Sequence, residues 1–534
     1  MEDADLMFFK FFDISDADED GFDFAAIEDF VDLLSDDDKE IIINILQNAK
    51  CILIERDYID KDYRNVYSGY YSKKFSHYNG RAIRIHIFDV MISISDFYLP
   101  SDEFYNKLKA LSDEINLESY EGTTPGYRGS VVLRPTEYSR VGRCLIDPRK
   151  IVRHSWAGSK TWGALAEYRV VILCQQLKVL AFPHQSQDAE AHVCAETALW
   201  SLFRYLSQRY PYYREIYPFD IALLNKDKSR GRTTPSQGLT MEQIASVFAE
   251  YGLAAEYFDP KYADDLSAVA AESDPWHTIK PIEGGTSSVD ALVRYLHVYV
   301  DSALPPIVGL PEHAVVAFGY ICGDTSLVDR AGKVMPSSDF VHGFVINDDN
   351  ISPYQAIIRE AVKPADWQYR NNIENIDVFV APLPDKVFLY AYQAENITDI
   401  IISSYTKPSD FDAFPKIIRR MYCTSSKNYK EFRRGEGDPM SHALISLSLP
   451  HFLWVTEFIP ETCWQDRHNG AVVCMEIVLD ATAGKRDKSP FLWIRTLSKV
   501  WLNAKRIYGK ESIQSFQTAS PMLRSFRGNH KLIS

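Results

Sequence analysis

The sequence contains no apolar run near the ~18 residues that a membrane-spanning helix needs. It has no CxxC pair and no His/Cys group at zinc spacing, which excludes the common zinc and dithiol-redox frameworks. It shows no repeat of 20–50 residues, which excludes a solenoid or propeller. It also lacks a long Gly/Ser- or Pro-rich linker, so the domains are expected to pack closely. The first residues, MEDADLMFFKFFD, carry acid where a secretory signal would carry base. These absences predict a cytoplasmic protein with no membrane part.

What is present is ordinary globular composition over an extraordinary length. The 534 residues are 46% hydrophobic and 25% charged. At roughly 150 residues per domain, three or four domains are expected. Aromatics reach 13%, with 31 Tyr, 29 Phe and 9 Trp, which argues against extensive disorder.

The net charge of −15 is concentrated. Residues 1–40 carry 16 acidic against 2 basic side chains, a net of −14, while Lys485 to Ser534 carry 11 basic against 2 acidic. Residues 41–534 taken together are therefore nearly neutral, the basic tail offsetting the acidity of the chain between. This asymmetry reads as an acidic arm and a basic tail: two solvated faces, ends that dock on each other, or a tail for an anionic partner. The overall acidity argues against nucleic acid as a partner.

Four regions follow. Residues 1–39 form the acidic arm, with helical patterns at 24–34 and 39–49. Residues 40–165 read as an α/β domain, with β-rich runs at 51–55, 81–88 and 126–148 and a helix at 101–116. Residues 166–362 change character: strand-like at 168–182, helical from Ala195, helix–turn–strand at 238–258, helical at 287–302, then three β-type segments. Helices followed by strands predict an α+β layout. Residues 363–534 read as a second α/β domain. Its end, PFLWIRTLSKVWLNAKRIYG, places Trp493, Leu497, Val500, Trp501 and Ala504 on one helical face.

Chemistry concentrates in the third region. Cys194 sits where a helix should begin, with Leu199, Leu202, Phe203 and Leu206 on one face behind it. A helix N-terminus offers free N–H groups and a partial positive charge, which favour thiolate over thiol. A thiolate nucleophile needs a base–acid partner, for which His is the usual choice. His313 opens the strand HAVVAFGY. His342, just before GFVIND, is its rival. A carboxylate should orient the imidazole. Asp348 ends FVIND, with Asp349 beside it. Gln187, seven residues before Cys194, could donate to an oxyanion together with the Cys194 backbone N–H. Gln185 competes for that role. Each residue also has an ordinary reading: a packed cysteine, a satisfied histidine, turn-forming aspartates, a surface glutamine.

The order Gln187…Cys194…His313…Asp348 resembles papain-like cysteine peptidases, in particular the bacteriocin-processing group that cleaves after double glycine. The matching pieces are QDAEAHVCAETALW from Gln187, GLT from Gly238, PIVGL from Pro306, HAVVAFGY from His313 and NDD from Asn347. They span about 168–360. Ala195 stands where that group usually has Gly, and 323–341 is an insertion between the His and Asp strands. The resemblance implies a thiol hydrolase core: a Cys-bearing helix packed on an antiparallel sheet carrying His and Asp. Cys194 would be nucleophile, His313 base and acid, Asp348 orienter and Gln187 oxyanion donor. The substrate would be a protein or peptide, a regulatory protein partner is conceivable, and no metal or cofactor is needed. Amidase, isopeptidase and transglutaminase-like acyl transfer share the same triad. A non-catalytic scaffold built on the charged ends is the other reading.

Three weaker signals remain. Cys463-Trp464 near His468 mimics a nucleophile motif but reads as a loop. Cys174 reads as a buried strand residue. Asp16 to Gly21 matches the first half of a calcium loop, but Ile27 stands where the bidentate Glu belongs.

Overall fold

The fold was analysed in a computed structural model that describes residues 9–14, 34–152, 159–188, 190, 193–224, 238–259, 288–328, 333–364, 367–405, 413–464, 466, 470–484, 487, 489–509, 513–517 and 523–533. The protein is of mixed α+β class. The half calcium loop, most of the 24–34 pattern and His468 lie outside the described residues.

The first sheet has five antiparallel strands in chain order: β1 (Phe9–Asp13), β2 (Cys51–Tyr58), β3 (Ala82–Phe88), β4 (Tyr127–Leu133) and β5 (Val141–Ile146). The FKFFD lead of the acidic arm is therefore an edge strand, paired with Cys51–Glu55. Helix α1 (Asp36–Leu46) starts at Ser35, whose hydroxyl accepts the Asp38 backbone N–H at 3.2 Å. Helix α2 (Lys61–Gly69) is capped in the same way by Asp60. Helix α3 (Ser101–Glu114) has Pro100 as its N-cap.

Strand β6 (Lys160–Gly163) leads into a hairpin of β7 (Ala166–Ile172) and β8 (Gln175–Ala181). The turn at Leu173 and Cys174 takes both residues into positive φ, 44° and 70°. This corrects the reading of Cys174: it sits exposed at a turn rather than buried in a strand. Continuous hydrophobicity hid the turn, since no Gly, Asn or Asp marks it.

The central sheet holds β9 (Leu253–Phe258), β10 (Ile307–Leu310) and β11 (His313–Cys322). Short β12 (Val334–Pro336) leaves for the third sheet, and β13 (Val341–Asn347), β14 (Gln355–Ile358) and β15 (Val378–Pro384) complete the order β14-β13-β11-β10-β15-β9. Its two faces feed two cores. Ala314, Val316 and Phe318 pack toward the first sheet and the helix α4 (Cys194–Arg209). Val315, Ala317, Phe344 and Phe379 pack toward the helix α5 (Ser288–Asp301) and the third sheet. A bulge at Ala317/Gly319 shifts this alternation by one, so Tyr320 and Cys322 join the second core. Glycine is required there: a Cβ on Gly319 would meet the Trp162 carbonyl oxygen at 2.4 Å.

The third sheet is built from β16 (Ile417–Ser425), β17 (Phe452–Pro460), β19 (Met475–Asp480), β20 (Phe491–Thr496), β21 (Lys499–Asn503) and β22 (Ile513–Gln517), after which β24 (Lys531–Leu532) returns to pair with β6; β18 (Val472–Val473) and β23 (Leu523–Arg524) form a separate two-stranded ladder. The expected amphipathic helix through Trp493 and Trp501 is instead the β20–β21 hairpin, with Trp493 opposite Leu502 and Ile494 opposite Trp501. Trp493, Ile494 and Val500 are β formers, and their burial against β19 outweighs a helical spacing that short strands also satisfy. Only Ala504–Tyr508 is helical.

Strands cross the lines drawn between the regions. β6 from the second region and β15 and β24 from the fourth join the central sheet, while β12 from the third region pairs with β16. Among the described residues, no helix is long and apolar enough to cross a membrane.

Candidate functional site

Cys194 is the first residue of α4, with Val193 as N-cap and Glu196 accepting the Val193 N–H at 3.3 Å. The cap position leaves the first-turn N–H groups, that of Cys194 included, without helical acceptors. α4 is enclosed on more than the one face its periodicity marks: Trp200, Arg204 and Tyr205 are buried along with Leu199, Leu202 and Leu206. The added burial has a specific cause. Asp62 on α2 accepts Trp200 Nε1–H at 2.9 Å and pairs with Arg204 and, at 3.2 Å, with Arg143. The first sheet's layer thus clamps the helix against the central sheet. Cys194 itself is half-buried, whereas Cys51, Cys144, Cys322, Cys423 and Cys474 are buried.

His313 opens β11 after a two-residue turn, Pro311-Glu312, with Leu310 and His313 paired. Pro311 fixes one turn φ and Glu312 takes the other to 58°. β13 runs back beside β11 with Asn347 opposite Val316, which carries Asp348 and Asp349 alongside the first residues of β11. The 35-residue separation in sequence is therefore a hairpin in space. His313 Nε2 lies 2.8 Å from Asp348 Oδ1 and 3.4 Å from Asp349 Oδ1. The Cys194 side chain lies near enough to the same imidazole to help raise its basicity. Nε2 faces the two carboxylates.

The electrostatics follow from this placement. Burial alone would push His313 down, but the Asp348 hydrogen bond, the nearby Cys194 side chain and the two carboxylate charges raise it to about 10. Burial opposes ionisation of Asp348, yet His313, the Asn350 N–H at 3.0 Å and the Tyr369 hydroxyl at 2.8 Å hold its carboxyl below the usual range. Asp349 goes the other way: burial and the neighbouring charge of Asp348 outweigh His313 and raise it to about 7. A histidine held by carboxylates with a cysteine close by is an arrangement of the kind that can activate sulfur.

The rival histidine is placed elsewhere. His342 lies level with Ile321 and Cys322 on the neighbouring strand and packs over Gly323. That is eight or so residues along β11 from His313, about 27 Å at ~3.4 Å per residue. Gln187 is not brought onto the thiol by any contact; its amide donates to Asn350 Oδ1, in the turn that follows Asp349. A primary amide keeps a second N–H for another acceptor. Gln185 is buried among Asp60, Asp62, Arg143 and Asp188, on the far side of the same segment. Asn347 Nδ2 donates to the Pro183 carbonyl at 2.8 Å, so the segment bearing Gln187 is tied to the end of β13.

Sequence reasoning missed Tyr369. It lies beyond β14 with no pattern linking it to Asp348, and only folding brings its hydroxyl there. Burial and the Asp348 charge push its own ionisation far up, so it is a fixed donor. Among the described residues, His313, Asp348 and Asp349 are also a group close enough to share a cation, with ligand atoms within 4.8 Å of one another. The hydrogen bonds and ion pair already account for that closeness. Cys463 and Trp464 lie on a short helix, Glu461–Trp464.

No model of a known protein family matches this chain, and no curated protein matches it.

Proposed function

We propose that the chain is a cysteine peptidase of papain-like design, with Cys194 as nucleophile and His313 as base and acid. The carrying observation is the line from the Cys194 thiol through His313 to Asp348, which joins a helix start to the ends of two antiparallel strands. In this reading the sulfur attacks an amide carbonyl after its proton has passed to His313. The carbonyl oxygen gains negative charge and is held by the Cys194 N–H and the Gln187 amide. When the C–N bond breaks, His313 gives the proton to the leaving amine, and the acyl group remains as a thioester. Water then attacks, loses a proton to His313, and the acid leaves as the thiol reforms. Asp348 orients the imidazole and stays charged throughout.

The first-sheet layer supports the reading as scaffold rather than as appendage, because Asp62 grips the nucleophile's helix. Amidase, isopeptidase and acyltransferase activity would use the same atoms and differ in the acceptor.

The test is the rate of iodoacetamide labelling of each cysteine against pH, read by peptide mass spectrometry, in wild type, His313→Ala and His342→Ala. Fast labelling of Cys194 near pH ~6, below the ordinary thiol range, lost only in His313→Ala, supports the pair. Labelling of Cys194 no faster than that of exposed Cys174 refutes it. Peptide libraries with Cys194→Ala as blank then identify substrates, and trapping by a primary amine separates hydrolysis from acyl transfer.

A further inference from the structure

We propose that the first sheet carries a binding site for a small organic phosphate, in an arginine-lined cavity where β2 and β4 end and β3 and β5 begin. None of Cys194, His313, Asp348 and Gln187 lines this cavity, so the inference does not rest on the peptidase reading.

The cavity holds about 350 Å³, within the range of small-molecule sites. Among the described residues, Arg56, Arg81, Arg134 and Arg140 line it against one acidic side chain, Asp57. Leu34, Ile83, Leu133 and Pro135 give it an aliphatic wall. Phe9 continues it outward beside the same Arg56, Asp57 and Arg81, and Glu55 there is already paired with Arg84 at 2.6 Å. Two irregularities of the sheet shape this end. Between β2 and β3 the pairing steps from Glu55 opposite Arg84 to Tyr58 opposite Ala82, so Arg56 and Asp57 together oppose Ile83. Asp57 takes φ to 54° there. Between β4 and β5 the pairing steps from Val131 opposite Cys144 to Leu133 opposite Val141. Gly142 lies in this second step, where a Cβ would stand 3.1 Å from Arg134 Cγ. Bulges re-aim side chains and recur beside functional sites. Here one turns Arg56 out of the ladder and the other leaves room for the Arg134 stem.

The arginines are held to different degrees. Arg134 is fixed by the carbonyls of Ser139, Val141 and Ser186 at 2.6, 3.1 and 2.9 Å. Arg81 gives its guanidinium one bond, to the Asp57 carbonyl at 3.3 Å. Arg140 Nε is shielded from solvent and has no hydrogen-bond partner among the described residues. Asp38 does not supply one. Its oxygens accept instead from the Ser35 hydroxyl and the backbone N–H groups of Arg140 and Val141. Burial works against the Arg140 charge, and Asp38 offsets only part of that. A half-buried guanidinium without a partner is costly, and an anion in the cavity removes the cost. The planar fork suits carboxylate and phosphate alike. Charge separates the two. Four arginines against one aspartate leave an excess that a single carboxylate does not balance, whereas a phosphate monoester carries about −1.5 to −2 charges at neutral pH. The aliphatic wall then takes the organic part of the ligand.

The full chain is titrated with phenyl phosphate, inorganic phosphate and benzoate by isothermal calorimetry, in wild type, Arg140→Gln and Arg81→Gln. Arg169→Gln is the control, since Arg169 is exposed and pairs with Glu167 on the β7–β8 hairpin. Far-UV circular dichroism checks folding. Arg81 is exposed, so Arg81→Gln keeps the test decisive even if Arg140→Gln does not fold. Phenyl phosphate should bind wild type and the control alike, at one site, and more tightly than inorganic phosphate or benzoate. Arg140→Gln and Arg81→Gln should each weaken it about tenfold, the loss expected of one hydrogen bond to a charged group. No binding at millimolar phenyl phosphate overturns the inference. So does binding that neither cavity variant weakens, or that Arg169→Gln weakens equally, and so does benzoate binding as tightly as phenyl phosphate. Sedimentation with phosphatidylcholine vesicles containing phosphatidic acid, without binding of soluble phenyl phosphate, also overturns it by assigning the arginines to a membrane head group. Each of these results leaves the Cys194 labelling test untouched.

Discussion

Replacing Tyr369 by phenylalanine removes one oxygen atom and leaves the ring in place. That oxygen donates to Asp348 Oδ2 at 2.8 Å, and Asp348 carries the His313 imidazole. A hydrogen bond to a charged group contributes about 1.5–3 kcal/mol, which corresponds to between roughly tenfold and hundredfold in an equilibrium. His313 and the Asn350 N–H still hold Asp348 in the variant, so the lower end, about tenfold, is expected in the Cys194 alkylation rate at neutral pH. The pH profile should shift as well. Asp348 is held below the usual carboxylate range partly by this hydroxyl. Without it the carboxyl protonates at higher pH, so the loss of reactivity on acidification starts earlier. Tyr354→Phe is the control. Its hydroxyl donates to the Ile146 and Phe182 carbonyls at 2.8 and 2.9 Å, within the first core. That change should cost about 1–3 kcal/mol of stability and leave the Cys194 profile unmoved. Equal alkylation of wild type and Tyr369→Phe within twofold across pH, or equal losses in both tyrosine variants, would refute the assignment of Tyr369 as a support of the imidazole.

Further outcomes follow from the same geometry. Asp62→Ala removes one of the two carboxylates paired with buried Arg204, the other being Glu215, together with the Trp200 acceptor, so urea denaturation should show about 1.5–3 kcal/mol of lost stability; a loss below about 1 kcal/mol would mean that the clamp on α4 is not real. Because His313 is raised in the folded state to about 10, its stabilising contribution is complete below the unfolded value of 6.5 and lost as pH rises through 10. The stability gap between wild type and His313→Gln should therefore narrow from pH 6.5 upward, and a gap that widens would contradict the ion pair. Gln187→Ala should lower turnover of a cleaved peptide by about 10²–10³-fold if it serves the oxyanion, and an effect seen instead with Gln185→Ala would exchange their roles. Gly319→Ala forces a Cβ within 2.4 Å of the Trp162 carbonyl and should prevent β6 from pairing with β11, read as loss of folded yield.

Much of the local structure was legible in the sequence because local chemistry writes it. The apolar pattern at 39–49 marks most of α1, the β-type runs mark β3 and β13, and the periodicity after Cys194 marks α4, whereas α2 and its Asp60 cap went unread. The pairing of His313 with an aspartate 35 residues away was legible too, since a hairpin of two apolar strands must return the chain to its start. Local pattern failed where one signal serves two structures. Trp493 to Ala504 satisfies a helical spacing, yet burial on both sides of a sheet decides for a hairpin. Cys174 lies in an unbroken apolar stretch whose turn depends on two residues accepting positive φ. Other features exist only in three dimensions: the register that separates His342 from His313, the Asp62 clamp and the Tyr369 hydroxyl on Asp348. The sequence by itself determined which residue types stand at the helix start and at the strand ends. Only the tertiary structure decided which of them share a proton, because hydrogen bonds and desolvation act over a few ångströms of space and take no account of distance along the chain.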